Sequence, residues 1–236
     1  MTALHRAAPS RTARWPRRRE PEGHGHGGSA LTAVIKRVLD VVLASLALIV
    51  LAPLLAALWL VVRFDSPGSA IFSQQRLGRA EHPFKIYKFR SMRTGASDAI
   101  HRAYITQMLG DGPQAVAIDG LYKLQTDPRI TPVGAWLRRT SLDELPQLVN
   151  VIRGDMSLVG PRPVLGWEAE LFDDAARVRF QVRPGLTGLW QVSGRARLTM
   201  RQALELDAQY VRRQSLWLDL SIIARTVPAQ MRRGTA

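Results

Sequence analysis

The sequence contains no cysteine. Disulfides, thiolate nucleophiles, zinc–thiolate sites and iron–sulfur clusters are therefore excluded. Histidine is scarce: His5, His24, His26, His82 and His101 are the five, and none lies in the last 135 residues. Chemistry there must run without an imidazole, and a Ser-His-Asp hydrolase would have to recruit one of the early five. Acidic residues are also few, 19 against 33 Lys and Arg, which leaves a formal charge of +14 on 236 residues. Such a surplus fits a polyanionic partner: nucleic acid, anionic lipid or a phosphorylated substrate. Lysine is nearly missing, with Lys36, Lys85, Lys88 and Lys123 as the only four and 29 Arg supplying the rest. Arg forks match phosphate oxygens, although a genome composition rich in Arg and Ala gives the same bias.

Residues 1–30 hold six Arg, three Pro, four Gly and three His with almost no large apolar side chain. That composition predicts a disordered basic tail, either merely solvated or touching anionic head groups. Next, Val41 to Val62 runs for 22 residues without a charge, and Ser45 is its only hydroxyl. As a helix this run would measure about 33 Å, enough to cross a bilayer core. Its flanks argue against a simple crossing. Residues 1–37 carry eight Lys and Arg against two acids, and residues 63–102 carry eight against three. Both ends would prefer the cytoplasmic side. Pro53, near the middle, removes one backbone hydrogen bond and disfavours helical angles at Ala52. A helix–break–helix that enters and leaves by one face satisfies both observations; a Pro-kinked single span is the alternative.

From Asp65 the chain reads as a soluble domain of α/β class, mainly α-helical with short strands. Three segments follow: the tail 1–30, a membrane helix–break–helix 31–64 and a catalytic domain 65–236. Ser69 to Phe72 and Phe84 to Phe89 have strand character around a basic turn, and residues 95–120 show no clear period. Ser141 to Ile152 reads as a helix, with Ser141 and Glu144 as a capping box, Leu145, Leu148, Val149 and Ile152 on one face, and Gly154 at its end. Thr199 and Gln202 offer a second capping box before a helix that reaches Arg213. Ser215 to Val227 is a further amphipathic helix.

The chemistry gathers in a few short stretches. In Arg138 to Gln147, two Arg precede the adjacent carboxylates Asp143 and Glu144 at the start of the expected helix. A helix N-terminus favours an ionised carboxylate and can also hold phosphate. Equally, acids in a first turn are common, and Glu144 could simply complete the cap. Val159-Gly160-Pro161-Arg162-Pro163 is a rigid turn that presents one Arg. Arg183 to Gly188 and Ser193-Gly194-Arg195 are Gly-containing turns rich in Arg, where backbone N–H groups can approach an anion closely. Arg-bearing turns around two carboxylates suit phosphoryl chemistry, with a divalent metal to offset the repulsion between carboxylate and phosphate.

Together these stretches closely resemble the bacterial sugar transferases, the monotopic polyprenyl-phosphate hexose-1-phosphate transferases, or phosphoglycosyl transferases. The matching segments are Lys36 to Asp40, Phe72 to Gly78, Tyr87 to Met92, Asp127 to Thr131, Thr140 to Gln147, Asn150 to Pro163 and Arg183 to Arg195. They span about residues 32–232. The resemblance implies a re-entrant helix in one leaflet, broken at Pro53 and anchored by Lys36 and Arg37. A cytoplasmic catalytic domain with interfacial amphipathic helices would sit at the bacterial inner membrane. It implies transfer of a hexose 1-phosphate from a UDP-sugar to polyprenyl (undecaprenyl) phosphate, with release of UMP, at the first membrane step of exopolysaccharide or related glycan synthesis. Asp143 would be the nucleophile that forms a covalent phosphosugar-aspartyl intermediate and a ligand to Mg²⁺, with Glu144 assisting. Arg138, Arg162, Arg195, Lys88 and Arg90 would bind substrate phosphate or nucleotide. Nucleic acid is not an implied partner; a homo-oligomer is compatible. Two alternatives stay open: a membrane-tethered basic scaffold, and a glycosyltransferase that releases UDP. The family often has Ser before the helix-breaking Pro, where this chain has Ala52.

Overall fold

A computed structural model describes residues 30–93, 102–103, 105–106, 129–194 and 198–231. The expected tail up to residue 29, most of the 95–120 segment, Asp127-Pro128 and Arg195 lie outside the described residues.

Helix α1 runs from Ala30 to Asp65, 36 residues, and is long and apolar enough to cross a membrane. The sequence reading places a break at Pro53; the helix instead continues through it. One missing donor among the many bonds of so long a helix costs about 3 kcal/mol, and apolar neighbours favour keeping every other backbone bond. One stripe of α1 faces the rest of the protein. Ala44 and Leu48 pack with Ile86, Leu148, Val151 and Met156. Further along, Leu55, Leu58 and Val62 pack with Ala70, Phe89 and Leu137. These positions recur at helical spacing, so a single face makes all the contacts. Much of the remaining surface is apolar and open, including Leu46, Ile49, Val50 and Trp59.

Both ends of α1 are pinned by polar groups. Lys36 Nζ donates to Asp219 Oδ2 at 2.6 Å and to the Val159 carbonyl at 3.3 Å. Arg37 donates to the carbonyls of Val151 and Ile152 at 2.6 and 2.8 Å. Asp40 accepts from the Leu158 amide at 3.0 Å. At the far end Arg90, buried, donates to the carbonyls of Val62, Ser66 and Pro67. The last carbonyls of a helix have no partner within it, and Arg90 supplies one.

Strands β1 (Ile71–Leu77) and β2 (Pro83–Phe89) form an antiparallel hairpin that places Phe72 opposite Lys88. β1 extends beyond the expected Phe72 because Ser73 to Arg76, polar and without alternation, pairs through its backbone. The chain then leads into α2 (Pro132–Thr140), where Thr131 accepts from the Gly134 amide and Pro132 opens the helix. A Cβ on Gly134 would lie 2.1 Å from the Ser91 carbonyl oxygen, so the strand exit can pass only over a glycine.

The expected capping box at Ser141 is not formed. Ser141 is left-handed (φ 58°), closes α2 and makes no side-chain cap. Leu142 to Gln147 is a 3₁₀ segment, and an α-helix, α3, follows only from Leu148 to Arg153. Pro146 explains the difference: it has no N–H to donate to Leu142, so α-helical bonding cannot start there. Gly154 closes α3 at φ 93°, as expected.

A two-stranded parallel sheet joins β3 (Ser157–Val159) to β4 (Gly185–Thr187). Between them lie the short helices α4 (Gly166–Glu170) and α5 (Asp174–Arg177) and a 3₁₀ turn, Val178–Gln181. After β4 come α6 (Leu189–Ser193), α7 (Met200–Arg213) and α8 (Leu216–Met231). The Thr199–Gln202 capping box of α7 is formed as expected.

Arg90→Met should remove the cap on α1 and lower the unfolding free energy by about 3 kcal/mol, since hydrogen bonds from a charged donor are worth about 1.5–3 kcal/mol each. Thermal or denaturant unfolding in detergent measures this; an unchanged midpoint would mean that the end of α1 is held by packing alone.

Candidate active site

Three elements converge on one carboxylate. β2 carries Lys88 inward, the 3₁₀ segment carries Asp143 and Glu144, and the turn after β3 carries Arg162. Lys88 Nζ and Arg162 Nη1 both donate to Glu144 Oε1, at 3.0 and 3.3 Å. All three side chains are at most 18% exposed. Asp143 is buried and close enough to Lys88 to act on its charge. Burial pushes the Lys88 ammonium below its ordinary value; Glu144 opposes that shift and Arg162 adds to it. The site is therefore a compact set of buried charges in which two cations share one carboxylate.

A small cleft with room for about one water molecule adjoins this cluster, lined by Arg76, Lys88, Glu144, Gln147 and Arg162 among others. Asp143 lies beside the cleft rather than in its wall. The glycines of the two Arg-bearing turns fix the cleft's shape. A Cβ on Gly160 would meet the Arg183 carbonyl oxygen at 2.4 Å, and one on Gly185 would meet the Gly160 amide nitrogen at 2.0 Å. The turn that presents Arg162 can thus lie directly on the Arg183–Gly188 turn only because both lack side chains there.

The residues singled out from sequence fall into groups. Asp143, Glu144, Lys88 and Arg162 are brought together. Arg138 is half-buried near the end of α2, and its carbonyl accepts the Ser141 amide. Arg90 is turned away: its fork is occupied at the end of α1, which departs from the expected phosphate contact. Lys36 and Arg37, expected as membrane anchors, grip protein atoms and tie α1 to the domain. Arg76 and Gln147 were not singled out, although both lie in the motif stretches quoted for the resemblance. Only the tertiary fold shows that they face the cleft.

Residues 31–233 match the family described as bacterial sugar transferase. The chain belongs to that family. Among relatives of this bacterial sugar transferase is the exopolysaccharide production protein ExoY of Rhizobium meliloti, 44% identical over 82% of this chain and 84% of that protein. The undecaprenyl-phosphate galactose phosphotransferase of Salmonella typhimurium is 42% identical over 86% of this chain, but only 41% of its own length is covered. The UDP-glucose:undecaprenyl-phosphate glucose-1-phosphate transferase of Caulobacter vibrioides is 43% identical over 85% of this chain and 71% of its own. The transferase thus spans about two fifths of some curated relatives and most of others.

Glu144→Gln should leave Lys88 and Arg162 buried with a neutral partner and cost about 3 kcal/mol of unfolding free energy. Adding Lys88→Met to the same chain should recover part of that loss, because burial already disfavours the Lys88 charge. Denaturant unfolding of the single and double variants checks both; equal stability of wild type and Glu144→Gln would show that Glu144 is not the shared counter-ion.

Proposed function

We propose that this sugar transferase moves a hexose 1-phosphate from a UDP-sugar to undecaprenyl phosphate and releases UMP, within exopolysaccharide or related glycan synthesis. The observation that carries the reading is the buried Lys88–Glu144–Arg162 cluster, with Asp143 next to it in sequence and close enough to act on the Lys88 charge. The activity named for the Caulobacter relative supports the same donor and acceptor classes, and that of the Salmonella relative the same acceptor.

In this reading a carboxylate oxygen of Asp143 attacks the phosphorus that bears the sugar. The bond from that phosphorus to the bridging oxygen breaks, and UMP leaves with the oxygen. The phosphate of the lipid then attacks the same phosphorus, the Asp143–phosphorus bond breaks, and polyprenyl diphosphohexose leaves. Splitting the transfer in two lets a soluble donor and a membrane-bound acceptor use one site in turn. Arg162 and Lys88 would offset the phosphoryl charge, while Glu144 keeps both cations in place until the donor's anion competes for them. Arg138 and Arg195 are the further candidates for the donor's phosphates and nucleotide. Since Asp143 is only 5% exposed, donor binding must uncover it.

The donor set fits Mg²⁺ in one way. No group of three or more metal-ligating side chains occurs among the described residues, and Mg²⁺ is usually held by one or two carboxylates together with substrate phosphates. Asp143 would be the protein ligand, and the ion would neutralise diphosphate charge.

The membrane reading follows from α1. Contacts at Ala44 and at Val62 are separated along the helix by about 27 Å, yet both are made with the same domain. A helix crossing a hydrocarbon core of about 30 Å would pull that charged domain in with it. A helix lying in one leaflet, its apolar outer face in lipid and its inner stripe on the domain, avoids this cost. Pro53 leaves the Ile49 carbonyl without its usual donor, the place where α1 bends at least cost. In this reading the domain lies on the cytoplasmic face of the bacterial inner membrane, the side that basic residues on both flanks of α1 favour.

Purified enzyme, polyprenyl phosphate and a panel of UDP-sugars should release UMP with at least one donor, and Asp143→Ala should abolish both UMP and lipid-linked sugar. Release of UDP instead would make the protein a glycosyltransferase. Full turnover by Asp143→Ala would remove Asp143 as nucleophile, and no transfer with any donor would favour a scaffold.

A further inference from the structure

Behind the Arg162 turn lies a second buried charge pair that the reaction itself does not use. Arg179, from the 3₁₀ turn Val178–Gln181, and Asp207, from α7, are 3% and 2% exposed and meet at 3.0 Å. Arg179 Nη2 also donates to the Arg162 carbonyl, and its guanidinium lies 5.4 Å from the centre of the Phe172 ring. We propose that Arg179 and Asp207 are positioning residues: Asp207 orients the Arg179 fork, and the fork fixes the backbone from which Arg162 reaches Glu144.

As a stabiliser the pair is poor. Arg179 Nη1 and Asp207 Oδ1 are both buried without a hydrogen-bond partner. Burial outweighs the attraction of Arg179 and pushes the Asp207 carboxyl up to about 6. Two well-packed apolar side chains could fill this space at no loss, as buried ion pairs in general permit. They could not hold a carbonyl. Backbone bonds tie the turn at both sides of Arg162: Gly160 donates to the Thr187 carbonyl at 2.9 Å, Gly185 to the Pro161 carbonyl at 2.8 Å and Leu77 to the Val164 carbonyl at 2.9 Å, while Pro161 and Pro163, on either side of Arg162, have no N–H to give. Those bonds fix the ends of the turn, and Arg179 donates at its middle, to the carbonyl of the residue whose side chain enters the cluster. The pair thus acts on the proposed donor site through Arg162, and its consequence for catalysis rests on the reading given above.

The test is the double replacement Arg179→Met/Asp207→Leu, with Arg179→Lys as a second variant that keeps the charge but not the planar fork. The apolar pair should melt at or above the wild-type temperature. Amide hydrogen exchange across residues 157–166 should nevertheless quicken about tenfold. With a UDP-sugar as donor, KM should rise about tenfold while kcat changes less than threefold. Added to Arg162→Ala, the apolar pair should cause no further loss beyond about twofold, because both act through one side chain. Wild-type exchange in the turn, or losses that multiply with Arg162→Ala, would overturn the proposal. If the apolar pair melts well below wild type, Arg179→Lys decides by the same exchange and additivity readouts. If wild-type enzyme releases no nucleotide from any UDP-sugar, the functional reading falls, and the exchange measurement still decides whether the pair holds the turn.

Discussion

The structure depends on how one long apolar helix is tied to a strongly basic domain. Packing along a single stripe of α1 buries Ala44, Leu58 and Val62, but apolar contact alone would let the helix slide or detach. Direction comes from charged groups at the two ends. Lys36, Arg37 and Asp40 hold one end to α8, α3 and β3, and Arg90 holds the other to the strand that carries Lys88. The helix surface that faces outward is left apolar.

That tie places the site. Lys88 lies on β2 and Arg90 just past its end, so neighbouring residues of one segment serve different ends. Arg90 closes the helix, and Lys88 points at Glu144. Val159 and Arg162 are likewise three residues apart: the Val159 carbonyl receives Lys36 and Tyr210, and Arg162 reaches Glu144. The cleft is therefore assembled from the same short segments that receive the helix.

Much of this is legible in the sequence, for identifiable reasons. The 22-residue uncharged run needs no tertiary context to declare a helix. The Thr199–Gln202 cap and the Gly154 stop are local chemistry and form as read. Ser141–Glu144 has the same cap pattern and does not form one. Pro146 blocks the helix from within, and Glu144 finds two cations from elsewhere in the chain that outcompete a backbone amide. Arg90 departs from expectation for a related reason: an Arg in a basic motif carries no sign of whether its fork meets a phosphate or the end of a helix 28 residues away.

By itself the sequence determined the chemistry available: carboxylates and arginines, no thiol and no late imidazole, beside one long apolar helix. It also determined the family, because those residues keep their order and spacing. The tertiary structure alone decided which charges meet. Glu144 is shared by Lys88 and Arg162, residues 56 and 18 positions away, and Arg179 reaches back 17 positions to the Arg162 carbonyl. The physical reason is that a buried charge is tolerated only beside a partner, and which partner it finds depends on how the backbones pack. Here glycines at 160 and 185 let two turns come closer than any side chain would allow.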